Sequence, residues 1–144
     1  MRALISALVG IITMGGMIVF SSASSAMSDK PRRGANGQLI LRCDASADPA
    51  LCNAVAKALR AAQPAPVNMG AAPSGAGDTV LALEVSTYTA HAISGRLSRE
   101  AGGNGPAMGP QLDFDVMDSG LSPSLLAQFA NDLVKASGAL FSSN

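Results

Sequence analysis

The chain has two cysteines, Cys43 and Cys52, and the residues around them constrain its fold more than any other stretch. Leu39, Ile40 and Leu41 form a short apolar run of strand length, ended by Arg42 and the turn-prone Asp44, Ser46 and Asp48. Asp48 followed by Pro49 reads as a helix start, because aspartate accepts hydrogen bonds from orphan amides and proline suits the first helical position. Leu51, Val55, Ala58, Leu59 and Ala62 then recur at three- and four-residue spacing, which puts them on one helix face. Lys57 and Arg60 fall late in that helix, where cations suit its negative end. A Cys43–Cys52 disulfide would pin a strand end to a helix start. Closing so short a loop restricts the unfolded chain by about 2–3 kcal/mol. A thiol-exchange pair or a metal site fits less well: the spacing is not Cys-x-x-Cys, and His91 is the sole histidine. Two buried free thiols are the alternative to a bridge.

The amino terminus sets the compartment in which such a bridge forms. Arg2 precedes an apolar run from Ala3 to Phe20, and Ser21 to Ala26 are all small. A positive start, an apolar middle and small residues at the end make a secretory signal peptide over residues 1–26, with cleavage after Ala26 or, nearly as well, after Ala23. An uncleaved anchor is the competing reading, since the run approaches the length of a membrane span. Removing Arg2 leaves nine Lys and Arg against ten Asp and Glu, a formal charge of −1. That balance gives no electrostatic reason to expect nucleic acid or an anionic membrane as partner. Residues 27–37, with Lys30, Arg32 and Arg33, read as a flexible, solvated tail.

The rest of the chain supports a single domain over residues 38–138. Gln63 to Asp78 is rich in Pro, Gly and Ala and reads as a long disordered loop. Leu81, Leu83 and Val85 alternate with Ala82, Glu84 and Ser86, and Ile93, Gly95 and Leu97 alternate with Ser94, Arg96 and Ser98. Tyr88 to His91 form the turn between these two strands. Glu100 to Pro110 is a glycine-rich connector. Leu112, Phe114 and Val116 then alternate with Asp113 and Asp115. Period-two alternation of this kind marks antiparallel strands with one buried and one wet face. Ser122-Pro123 starts a second helix striped by Leu125, Leu126, Phe129, Leu133 and Val134, and Gly138 stops it. Residues 139–144 are left as a short tail, although Leu140 and Phe141 have the apolar character to pack back.

The element order is β-α-β-β-β-α. Two apolar helix stripes facing one apolar sheet face predict an α+β two-layer sandwich, a mainly antiparallel four-stranded sheet with both helices on one face. If the strands flanking the first helix are parallel, their crossover is expected to be right-handed. Glu84, Arg96, Asp113 and Asp115 fall on the other sheet face, where cross-strand charge pairs are expected.

Catalytic patterns are lacking. His91 sits in a turn without a Ser-His-Asp or Cys-His context. Asp113, Asp115 and Asp118 are the carboxylate cluster, but a hard cation needs more oxygen ligands than they supply. Gly102, Gly103, Gly105 and Gly109 lack the lysine and the strand-to-helix setting of a phosphate loop. Ser122 is not in a nucleophile elbow and is better placed as a helix cap. With no Trp and one Tyr, the chain offers no aromatic platform for bases or sugars.

Leu39-Ile40-Leu41-Arg42-Cys43-Asp44 and Leu121-Ser122-Pro123-Ser124-Leu125-Leu126 resemble stretches of small exported bacterial envelope proteins of uncharacterised function. The element order also resembles domains of periplasmic assembly and adaptor proteins. These readings lead to the expectation of a non-enzymatic periplasmic or secreted module without cofactor. It would act through contacts with another envelope protein or a second copy of itself, touching a membrane only through an uncleaved signal segment. The alternative is a small-ligand carrier with a cleft between the sheet and the loops at 63–78 or 100–110.

Overall fold

The computed structural model describes residues 37–141. The expected signal peptide, and all of the expected tail except Gly37, lie outside them. Strand β1 (Leu39–Cys43) leads into helix α1 (Pro49–Ala62), followed by β2 (Val67–Met69), β3 (Thr79–Tyr88), β4 (Ala92–Ala101), β5 (Ala107–Met108) and β6 (Leu112–Asp115). Helix α2 (Pro123–Ala136) and a 3-10 turn (Gly138–Leu140) close the chain. The fold is α+β, as the apolar patterning predicts.

Both helices start as their sequences dictate. Asp48 accepts the Ala50 amide at 2.7 Å with Pro49 in the first turn of α1, and Ser122 Oγ accepts the Leu125 amide at 3.4 Å ahead of α2. Their apolar stripes pack onto one sheet face. Leu51, Val55 and Leu59 from α1 and Leu126, Phe129 and Leu133 from α2 meet Leu39, Leu41, Leu81, Leu83, Ile93 and Leu97 in a single core. Phe114 reaches it from β6, its ring edge-on to Phe129 with centroids 6.4 Å apart.

The sheet has six strands rather than four, and it is mixed. Its order is β2-β1-β3-β4, with β5 and β6 both pairing with β4 at different heights. β1 lies between β2 and β3 and is parallel to both, Leu39 standing opposite Val67 on one side and Thr79 on the other. β3 and β4 form an antiparallel hairpin with register shifts between Val80 and Leu81 and between Val85 and Thr87. Its turn is held by Thr89, whose amide donates to the Ala92 carbonyl at 2.8 Å and whose Oγ1 accepts the Ala92 amide at 2.9 Å.

The additional strands come from the two stretches expected to be loops. Val67 to Met69 is too short to display a period, and β1 supplies the partner that makes it a strand. Ala107 and Met108 are likewise recruited by β4. Part of the expected tail belongs to the domain: Leu140 is buried and Phe141 packs against the core. Cys43 and Cys52 form the expected disulfide, with Cα atoms 6.1 Å apart, tying the end of β1 to the first turn of α1.

Candidate functional site

The residues singled out for chemistry are dispersed. His91 is exposed in the β3–β4 turn, its Nδ1 lying 3.4 Å from the Ser119 carbonyl oxygen. Ser122 is occupied as a helix cap. Asp113 accepts a hydrogen bond from Ser94 Oγ across the β4–β6 pair, while Asp115 stands opposite Ala92. Among the described residues, no group of three or more His, Cys, Asp or Glu side chains comes together.

The sheet face turned away from the helices carries the expected charge pair. Glu84 and Arg96 stand directly opposite each other, and Arg96 donates to one carboxylate oxygen through Nε and Nη2, both at 2.7 Å. Ser98 Oγ donates to the other carboxylate oxygen at 2.8 Å. Ser98 first, and Arg96 after it, hold the Glu84 carboxyl below its ordinary value. A second pair, Arg42 with Glu100, closes at 3.1 Å. Beside them Gln111 Nε2 donates to Ser94 Oγ and Ser86 Oγ at 2.8 and 3.2 Å. This face is not wholly polar: Ile40 and Val80, paired across β1 and β3, lie on it and are buried.

A different arrangement occupies the end of the molecule where both helices finish. Here a cleft of about 460 Å³ is bounded by the start of β1 (Gly37, Gln38, Leu39), the α1–β2 connection (Gln63, Pro64, Ala65), Ala76 and Gly77 before β3, and Leu140 and Phe141. Arg99 and Gly103 complete its rim. Two features make its walls rigid. Asp78 gathers the loop before β3 by accepting the amides of Ser74 at 2.7 Å, Gly75 at 3.0 Å and Gln38 at 3.1 Å, together with Gln38 Nε2 at 3.2 Å. These bonds, the Ser74 amide foremost and the Gln38 side chain next, lower its pKa from 3.8 to about 2. The second feature is the approach of Gly37 to Gly77, so close that a Cβ at Gly37 would lie 1.6 Å from the Gly77 carbonyl oxygen.

Arg99 follows Leu97 by two positions and therefore falls on the core side of β4, opposite Leu81. It is only 8 % exposed. Nε donates to the Gly105 carbonyl at 2.7 Å and Nη1 to the Leu140 carbonyl at 2.8 Å. The signal for this residue was present in the sequence, because continuing the Ile93–Gly95–Leu97 parity places a cation on the apolar face. Asp78, by contrast, has no pattern that marks it out from other loop aspartates.

No family model, curated protein or solved structure matches this chain.

Proposed function

We propose that this protein is an exported, non-enzymatic interaction module of the bacterial cell envelope, working in the periplasm or beyond it. Its partner is another envelope protein or a second copy of itself. The observation that carries this reading is the outer edge of β2. Pro66 and Gly70 turn toward β1, since the Leu39 amide donates to the Pro66 carbonyl at 2.8 Å and the Gly70 amide to the Leu41 carbonyl at 2.9 Å. The backbone groups of Val67 and Met69 consequently face away from the sheet. Among the described residues no further strand pairs there. The strand itself has no charged side chain, whereas the opposite edge strand β6 is guarded by Asp113 and Asp115. Arg60 of α1 donates through Nη2 to the Val67 carbonyl at 3.4 Å, so the Met69 end is the open part of this edge among the described residues. A sheet edge open at Met69 is a template for strand addition. Export is supported by the Cys43–Cys52 bridge, which suits an oxidising compartment. Among the described residues, no helix is long and apolar enough to cross a membrane.

Met69→p-benzoylphenylalanine, activated by light in intact cells, tests this. The expected product is a covalent adduct to an envelope protein or a dimer of the chain. If Met69 yields no protein adduct, the strand-addition reading falls.

A second reading, a small-ligand-binding protein, is favoured by one specific observation. The cleft at the helix ends is built from the very loops a ligand site was expected to use, and its volume is in the range of small-molecule sites.

A further inference from the structure

We propose that the cleft at the helix ends binds an organic carboxylate with a compact apolar body, and that Arg99 is its anchor. This rests on the small-ligand reading and goes further by assigning the ligand's chemical class.

The argument begins with charge. A guanidinium is always ionised, and a buried cation without a counter-charge is expensive. Arg42 and Arg96, both far more exposed, each hold a glutamate. Arg99, the buried one, has no carboxylate partner among the described residues. The acid adjacent to it in sequence, Glu100, projects to the opposite sheet face and is taken by Arg42. Asp78 is already committed to five donors from Gln38, Ser74 and Gly75. The two carbonyls that Arg99 does engage satisfy one hydrogen on Nε and one on Nη1. A guanidinium has five N–H donors, so among the described residues the rest of the fork has no hydrogen-bond partner.

The surroundings then select the anion. Among the described residues no aspartate or glutamate lines the cleft, so none of them competes for the cation. Leu39, Pro64, Ala65, Leu140 and Phe141 supply apolar walls, with Gln38, Gln63 and Thr79 as the polar groups between them. A phosphate dianion would ask for several donors or a helix amino terminus. The helices here present their carboxy-terminal ends, and among the described residues Arg99 is the sole cation of the lining. A singly charged, planar carboxylate matches one guanidinium fork, and the apolar walls match an aliphatic body. Such a group belongs to a free organic acid or to the carboxy terminus of a polypeptide ending in an apolar residue.

The test is a titration of the full-length protein with 4-methylpentanoate, followed by calorimetry and by amide shifts of Gly77 and Gly103. The controls are 4-methylpentan-1-ol and inorganic phosphate. A pentapeptide ending in leucine, with free or amidated terminus, distinguishes the two sources. The expected result is saturable binding of the acid, about tenfold or more weaker for the alcohol, with phosphate ineffective. Arg99→Lys keeps the charge but loses the fork, and is expected to weaken the acid by about tenfold. Because Arg99 also braces two loop carbonyls, Ala65→Phe provides a second check: it fills the cleft with Arg99 in place and is expected to abolish binding while the circular dichroism spectrum is unchanged. Tighter binding of the free-terminus peptide than of its amide identifies a polypeptide terminus as ligand; binding of the acid alone identifies a free organic acid. Equal binding of acid and alcohol overturns the carboxylate assignment and leaves the ligand-binding reading standing. Absence of binding by acid, alcohol and peptide overturns both.

Discussion

The carboxylate of Asp78 accepts the backbone amide of Gln38 at 3.1 Å, across forty residues of chain. This bond fastens the entrance of β1 to the loop that precedes β3, and the parallel pairing of the two strands begins at the next residue of each, Leu39 opposite Thr79.

The stabilisation that Asp78 provides depends on its charge. Its pKa is lowered in the folded protein, so its contribution is fully present above the ordinary value of 3.8 and is lost as pH falls toward about 2. Urea unfolding followed from pH 5 to pH 2 is expected to show this loss. Asp78→Asn is expected to be less stable at neutral pH and to show a flatter acid profile, with faster hydrogen exchange at Gln38, Ser74 and Gly75.

Reducing the Cys43–Cys52 bridge, or replacing both residues by serine, is expected to lower unfolding free energy by about 2–3 kcal/mol. The sequence separation is only 9, so the effect is that of a short loop. Denaturant titration with and without reductant measures it, and the fold is expected to survive because Leu39, Leu41, Val55, Leu59, Leu81 and Leu83 also hold β1, α1 and β3 together in the core.

Phe129 is fully buried between α2 and the sheet and touches Phe114 edge-on. Phe129→Ala is expected to cost about 3–5 kcal/mol through lost transfer energy and the cavity left behind. Thermal unfolding reads it directly.

Ser137 presents the opposite case. Its Oγ is buried and, among the described residues, has no hydrogen-bond partner. Ser137→Ala removes an unsatisfied hydroxyl and is expected to stabilise the protein by about 1 kcal/mol. A raised midpoint in urea is the outcome that checks it.

The Glu84–Arg96 pair stands on a partly exposed face, with side chains 41 % and 34 % accessible. A double-mutant cycle with Glu84→Gln and Arg96→Met is expected to give a coupling below about 1 kcal/mol. The coupling shrinks as pH falls through the lowered pKa of Glu84, which then becomes neutral.

What the sequence made legible follows the strength of local patterns. Leu81–Leu83–Val85, Ile93–Gly95–Leu97 and Leu112–Phe114 announce their strands and their inward faces, and Asp48-Pro49 and Ser122-Pro123 announce both helices. β2 was not legible, because three residues between Pro66 and Gly70 carry no period and owe their conformation to the long-range partner β1. The parallel placement of β1 was equally hidden, since periodicity records which face is buried and not which strand lies alongside. For the cleft, the loops at 63–78 and 100–110 were recognisable, but the apposition of Gly37 with Gly77 and the reach of Arg99 to the Leu140 carbonyl join residues too far apart in sequence for local reasoning.

The position of β1 between two later strands also has a temporal meaning. As the polypeptide grows from its amino terminus, Leu39–Cys43 and α1 precede both strands that flank β1. Both flanks of β1 then stay open until residues 67–69 and 79–88 arrive. The nascent chain thus passes through an interval in which its most apolar strand has two bare sides.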